Sequence, residues 1–299
     1  MKNTDKNLYL GVDIGASNTK FIIISGKNIK TFEKFHLSTP HNKRKLVDFI
    51  VAQIKSLEIK YRTKFAGVGV AFAGIINSSG TTILHSPNIR ELDNFPLLRK
   101  LSVALDRRYI LNNDANVFAF AEALAGAAKG VSRVAGITLG TGMGGGLVVN
   151  QVLEKGAHGG SAEIGHTIIN PGGIKCSCGG WGHFEEHLSA RAIRRHGVKT
   201  QEELAQRASA GNKKAKAGFA DMVAYLGYAL ANIVNFWDPE IIVIGGGIAE
   251  DADLLLKKAA QAAKKDIVSP EARAALKVKK AKLGEYAGAM GAALLAIKK

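Results

Sequence analysis

Cysteine is nearly absent: the chain has two in 299 residues, Cys176 and Cys178. Two cysteines cannot build a disulfide framework, and their C-x-C spacing is not the C-x-x-C of a dithiol redox pair. No run of roughly 18 apolar residues is present to span a bilayer, and no charged-then-apolar leader opens the chain. A soluble cytoplasmic protein with no membrane partner is therefore expected. No Walker A sequence occurs, which removes the commonest phosphate-binding loop. Acidic residues are few beside basic ones, 25 against 41, for a formal net charge of +16. The basic residues fall in short runs, "HNKRK", "NKKAKAG" and "KVKKAK", without interleaved aromatics or a sustained basic stripe. That pattern reads as solvated helix faces, with no specific nucleic-acid surface. A positive field that attracts an anionic substrate is the milder consequence.

What is present is a globular composition, 46% hydrophobic, enough for one large domain or two ordinary ones. Strand-like segments end in glycine turns: "LYLGVDIG", "KFIIISG", "AGVGVAFAG", "VAGITLGTG", "IIVIGGG". Helical patterns lie between them, among them "NVFAFAEALAGAAKG", "GFADMVAYLGYALANIVNFW" and the terminal "EYAGAMGAALLAIKK". Alternating strands and helices predict an α/β protein. An internal echo sharpens this, since "LYLGVDIGASNTKFIIISG" and "VAGITLGTGMGGGLVVNQ" both read strand, glycine turn, strand. Two related domains follow, 1–115 joined by 285–299, and 116–284; the last helix is assigned to the first by the duplication alone.

"GTGMGG" (140–145) fits G-x-G-x-x-G in form, but that motif requires a helix next and "GLVVNQ" continues as strand. Glycines in such hairpins still allow backbone N–H groups to converge on phosphate oxygens. A bare tight hairpin explains one such turn better than two. The first carries Asp13 beside Gly15, followed by Ser17, Asn18, Thr19 and Lys20. That is a carboxylate for hydrated Mg²⁺, with hydroxyls, an amide and a cation for phosphates. The second offers Gly140, Thr141 and Gly142. A third turn, "IVIGGGIAE", places Gly246 and Gly247 before a helix, where a nucleotide's base or phosphates could sit.

With these turns in order, the chain resembles the ROK family of sugar kinases and repressors, nearly end to end. "DIGASNTK" and "LGTGMGGG" resemble its two phosphate motifs and "IVIGGGI" its adenosine motif; "NNDAN" and "YAGAMGAALLA" fall where its connecting segments belong. "GAHGGSAEIGH" matches its E-x-G-H signature, the most specific of these. The resemblance implies two related actin-like (ribonuclease H-like) domains with a cleft between them. It implies ATP-dependent phosphorylation of a hexose at its primary hydroxyl, with Mg²⁺. Asp114 falls on the catalytic base. Asn113, Glu163, His166 and Glu185 fall on residues that bind sugar hydroxyls, and Asn88 of "SPN" joins them. Phosphoryl transfer independently asks for a carboxylate at the attacking hydroxyl and a metal–phosphate cradle. The plainer reading of Asp114 is a helix N-cap before "ANVFAFAEAL".

Zinc-binding members of the family carry a histidine followed by C-x-C-G-x-x-G-C-x-E. Here His166, Cys176 and Cys178 match, but His183 stands in place of the third cysteine, in "CSCGGWGHFE". The resemblance thus implies a structural His₂Cys₂ zinc site. A metal-free loop, or His187 as the fourth ligand, are the alternatives.

Glucokinase is the simplest activity, with hexose and ATP as partners. An N-acetylhexosamine kinase shares almost every residue named, and fructokinase, mannokinase and polyphosphate-dependent kinase are lesser rivals. The family's repressors carry a DNA-binding module ahead of the first phosphate motif; only seven residues precede Leu8 here. A homodimer is the expected assembly.

Overall fold

The two segments that echo each other in sequence each begin a five-stranded sheet, and the two sheets share one topology. The computed structural model describes residues 7–298. The first sheet is built from β1 (Leu8–Ile14), β2 (Asn18–Ser25), β3 (Thr31–Ser38), β4 (Gly67–Phe72) and β7 (Tyr109–Asn113), in the order β3-β2-β1-β4-β7. β1, β2 and β3 form an antiparallel meander, whereas β4 and β7 run parallel to β1. A small ribbon, β5 (Ile75–Ile76) with β6 (Ile83–His85), lies between β4 and β7 in sequence. The second sheet uses β8 (Arg133–Leu139), β9 (Met143–Val149), β10 (Val152–Glu154), β11 (Ile241–Gly245) and β12 (Val278–Lys280), in the order β10-β9-β8-β11-β12. Its pairing again runs from an antiparallel meander to two parallel strands.

The parallel strands need crossovers, and helices supply them. In the first sheet these are α1 (Lys43–Tyr61) and α2 (Leu97–Ala104). α3 (Asp114–Leu124) leaves the end of β7. Short helices α4 (Glu185–Leu188) and α5 (Ala190–Arg195), then α6 (Gln201–Ser209) and the long α7 (Lys213–Trp237), precede β11. α8 (Asp253–Ala263) and α9 (Pro270–Ala275) follow it, and α10 (Ala287–Lys298) ends the chain. By length and composition α7 alone among the described residues could cross a membrane, which apolar-run counting in the sequence does not reveal. More than half of that stretch is buried, because Leu226, Leu230 and Val234 pack into the core.

The chain divides into two compact units. One reaches to Ala121 and takes in Lys155–Ser161 and the C-terminal stretch from Tyr286; the other comprises Glu122–Glu154 and Ala162–Glu285. Each has its own apolar core. Leu10, Val12, Phe21, Ile50 and Phe72 belong to the first, and Ile137, Phe184, Leu226 and Ile244 to the second.

In the first unit α10 lies directly on the sheet, and its composition explains how. It offers mostly glycine and alanine to strands that answer with glycine, so backbones touch without intervening side chains. A Cβ on Gly69 of β4 would fall on the carbonyl oxygen of Ala292, and one on Gly11 of β1 on that of Ala289. Gly69→Ala is therefore expected to destabilise the protein by about 3 kcal/mol, the cost of overpacking against backbone that cannot rotate away. A lowered urea midpoint at unchanged m-value would register it; an unchanged midpoint would show that α10 shifts freely.

In the second unit Glu122, fully buried, accepts backbone N–H groups from Ala127 at 2.7 Å, Lys282 at 2.9 Å and Leu283 at 2.8 Å. One carboxylate thereby ties the end of α3 to the segment ahead of α10.

Candidate active site and metal cluster

The hairpin between β1 and β2 is closed by Gly15 N–H donating to the Asn18 carbonyl at 3.1 Å. Thr39 Oγ1 donates to the Gly15 carbonyl at 2.8 Å and lies 2.9 Å from Thr19 Oγ1. Thr19 is fully buried, so its hydroxyl braces the turn, while Ser17 and Asn18 stay exposed at the tip. Asp13, one residue before the end of β1, pairs with Lys20, whose ammonium lies 6.0 Å from the Tyr286 ring centroid.

Asp13 and Asp114 are half-buried, both within the first unit. Burial, then the nearby charge of Asp114, pushes the Asp13 carboxyl from 3.8 up to about 7, against the lowering influence of Lys20. Burial likewise raises Asp114, opposed by backbone N–H groups, including that of Ala115 at 2.9 Å. Two carboxylates that resist ionising together make a site for a cation or for proton transfer. The capping reading of Asp114 goes to its neighbour: Asn113 Oδ1 accepts the Asn116 N–H at 3.1 Å, and its amide donates to the Gly74 carbonyl at 3.1 Å. Asp114 is left with its carboxylate at the head of α3. Asn88 is exposed in a turn that Ser86 and Asp93 hold, with Ile89 N–H donating to Ser86 Oγ at 3.1 Å.

In the second unit the parallel neighbours β8 and β11 end side by side, so their glycine turns share one sheet edge. Gly140, Thr141 and Gly142 follow β8, while Gly246 and Gly247 follow β11. Gly246 has φ +89°, and a Cβ there would strike the Leu139 carbonyl at the end of β8. Ligands of open α/β sheets bind at such carboxyl ends.

The E-x-G-H turn sits on this hairpin. A Cβ on Gly165 would strike the carbonyl oxygen of Met143, the first residue of β9, so only glycine lets the turn pack here. From α4, Glu185 Oε2 accepts the Met143 N–H at 3.1 Å. Glu185, by its bond to the Met143 N–H, and the E-x-G-H turn, by Gly165 against the Met143 carbonyl, thus meet at one residue of the β8–β9 hairpin.

Beside them lies a cluster of four donors. One atom each from His166, Cys176, Cys178 and His183 falls within 4.8 Å of the others. His166 Nδ1 is 3.7 Å from Cys176 Sγ, and His183 Nδ1 is 3.3 Å from Cys178 Sγ. Tetrahedral zinc, with bonds of about 2.0–2.1 Å to nitrogen and 2.3 Å to sulfur, holds neighbouring donors about 3.3–3.8 Å apart. The donor set therefore fits zinc in type, number and spacing. Backbone bonds hold the loop: Cys176 N–H donates to Gly180 at 2.8 Å, and Ile168 pairs with His183, with the His166 and His183 rings side by side. Gly182, with φ +70°, approaches the Asn170 carbonyl too closely for any side chain. Burial pushes the Cys176 thiol above its usual value, with smaller contributions from its neighbours. A divalent cation would reverse that.

His187 lies outside the cluster. It stacks on Tyr225 at 3.7 Å between centroids, and its buried Nε2 meets no partner among the described residues. Burial, then Arg195, lowers its pKa and keeps the ring neutral. Sequence reading missed Arg191, whose guanidinium reaches Glu185 at 3.0 Å and Glu186 at 2.7 Å. Its one signal was two adjacent acids followed by arginines in "EEHLSARAIRR", which does not say who meets whom.

The family model described as "ROK family" matches residues 9–299. A glucokinase of Halalkalibacterium halodurans is 35% identical over 279 residues, covering 83% of each chain. Among solved structures, a ROK hexokinase from Thermus thermophilus superposes with a TM-score of 0.87 at 30% identity, covering 97% of each chain. A ROK glucokinase from Streptomyces griseus, in complex with glucose and AMPPNP, gives 0.83 at 28% identity, covering 98% of this chain and 100% of its own.

Proposed function

The chain belongs to the ROK family and is an ATP-dependent sugar kinase, and we propose that it phosphorylates the primary hydroxyl of glucose. The observation that carries this reading is the bond of Glu185 to the Met143 N–H of the β8–β9 hairpin, against which the E-x-G-H turn that carries Glu163 and His166 also packs. Carboxylate and imidazole acceptors suit the closely spaced hydroxyls of a pyranose. The glucokinase names of similar proteins, one of them bound to glucose, favour glucose over other hexoses.

In the first unit, Asp114 takes the proton of the attacking hydroxyl; its raised pKa makes it a better base than a solvated carboxylate. Asp13 faces the metal of the incoming MgATP through water, and Ser17 and Asn18 line the hairpin tip. Mg²⁺ neutralises charge on the transferring phosphoryl group when bound. Asn113 and Asn88 contribute sugar contacts. In the second unit, N–H groups of Gly140, Thr141 and Gly142 hold phosphate oxygens, and Gly246 and Gly247 receive the nucleoside. His166, with Nδ1 turned to the thiols, has Nε2 left for a hydroxyl. A cytoplasmic homodimer without a nucleic-acid partner completes the reading.

A coupled ADP assay with glucose, mannose, fructose, N-acetylglucosamine and N-acetylmannosamine tests the substrate. Glucose should have the highest kcat/KM; a strong preference for an N-acetylated sugar would replace glucose with that class. Polyphosphate turned over faster than ATP would overturn the donor.

Zinc held by His166, Cys176, Cys178 and His183 would be structural, fixing His166 and the loop that carries Glu185. Elemental analysis should find about one zinc per chain. His183→Ala should lose it and raise the sugar KM, His183→Cys should retain it, and His187→Ala should do neither harm. Zinc lost from His187→Ala but kept by His183→Ala would reassign the fourth ligand.

A further inference from the structure

Glu185 and Glu186 are consecutive carboxylates on α4, only 8% and 3% exposed. Two adjacent buried anions are strongly unfavourable unless cations meet them. We propose that Arg191, on α5, is a positioning residue that sets the orientation of Glu185 and thereby the affinity for the acceptor sugar. The inference rests on the reading of Glu185 as a sugar ligand.

The geometry has an order of dependence. Glu186 is held from both sides: Arg191 Nη2 reaches its Oε1 at 2.7 Å, and Arg195 Nη1 reaches its Oε2 at 3.2 Å while Arg195 Nη2 bonds the Glu186 carbonyl. Glu186 thus fixes the head of Arg191. The same Nη2 then reaches Glu185 Oε1 at 3.0 Å. That oxygen also faces Ser177 Oγ at 3.4 Å and Cys176 Sγ at 3.8 Å, so its lone pairs are taken. Among the described residues Oε2 accepts the Met143 N–H alone, at 3.1 Å, which leaves it a second lone pair. Oε2 is therefore the oxygen that meets a sugar hydroxyl, and it shares that duty with the backbone of the phosphate hairpin.

Removing Arg191 takes the guanidinium from Oε1, leaves it the longer contacts to Ser177 Oγ at 3.4 Å and Cys176 Sγ at 3.8 Å, and lets the carboxylate rotate off Met143. Lysine replaces Arg191 in part: one nitrogen, Nη2, meets both carboxylates, so an ammonium can bridge them, but it lacks the planar guanidinium's fixed donor geometry.

Three variants test this: Arg191→Met, Arg191→Lys and Arg195→Met. The readouts are the sugar and ATP KM values, zinc content, and the amide NMR shift of Met143 in the sugar-free protein. Arg191→Met should raise the sugar KM about tenfold with the ATP KM changed less than about threefold, and should shift the Met143 amide. Arg191→Lys should recover part of both effects, with zinc content unchanged. Arg195→Met, whose hydrogen bonds among the described residues all go to Glu186, should move the sugar KM less than Arg191→Met does. If Arg191→Met does not fold, the lysine variant still reports both quantities. A folded Arg191 variant with wild-type sugar KM and an unmoved Met143 amide overturns the proposal, as does a raised KM without movement of Met143. If the Met143 amide moves while the wild-type protein phosphorylates none of the sugars, Arg191 positions Glu185 but the acceptor reading fails.

Discussion

Asp114→Asn should lower kcat by roughly 10²–10⁴-fold, the usual contribution of a positioned general base. The amide matches the carboxylate in size, and the bonds that hold the neighbouring side chain do not involve Asp114: Asn113 keeps Asn116 N–H and the Gly74 carbonyl. The head of α3 therefore stays formed. Glucose affinity, followed by calorimetry, should change by a small factor, since one hydrogen bond to a hydroxyl is exchanged for another of about 1 kcal/mol. Loss of turnover with retained binding is the signature of a group needed in the transition state. Turnover within tenfold of wild type would remove Asp114 from the role of base.

Asp13→Asn should cost activity and add stability. A carboxyl raised from 3.8 to about 7 by burial and by Asp114 is harder to ionise in the folded chain than in the unfolded one. Its favourable contribution is complete below the unfolded pKa, falls as pH climbs from about 4, and is gone above about 7. A rise of that size corresponds to about 4 kcal/mol. Part of it is repulsion by Asp114, which neutralising either residue relieves, and a half-buried Asn amide keeps a desolvation cost of its own. Ligand-free wild-type protein should therefore lose stability between pH 4 and 7, and Asp13→Asn should gain about 2 kcal/mol at pH 8. The same variant should fall roughly 10²–10³-fold in kcat, because no anion faces the metal of MgATP. Wild-type kcat/KM should rise as pH climbs through 7. Equal stability of the two proteins at pH 8, or full activity of the variant, would mean that Asp13 is neither strained nor used. Stability stored against function in this way is a common trade.

The glycine hairpins, the E-x-G-H turn and the C-x-C loop were legible in the chain because each is local: a few residues whose spacing states its own geometry. The repeated hairpin foretold two sheets of one topology, since strand, turn and strand recur in the same order. Other features required sites distant in sequence to meet. Asn113 rather than Asp114 caps α3, a choice made by the Gly74 carbonyl 39 residues away. Thr19 looks like a phosphate ligand in "ASNTK", yet pairing of β2 with β3 turns it toward Thr39. α7 passes for a membrane helix by composition and is a core helix by packing.

Of the four cluster residues, the chain alone named candidates and left His183 and His187 in competition. Four positions apart near a short helix, either could have turned toward the thiols. The pairing of Ile168 with His183 and the stacking of His187 on Tyr225 decide between them. The glycines of E-x-G-H and of the cysteine loop are explained only in three dimensions, by carbonyl oxygens of Met143 and Asn170 that leave no room for a Cβ. Arg191 and Glu122 carry no motif at all. Residue type and spacing determined the family, the two hairpins and the metal-ligand candidates, since those depend on contacts within a few residues. Which buried charge meets which partner was decided by the tertiary structure, because an ion pair between separate elements has no period and no spacing to read.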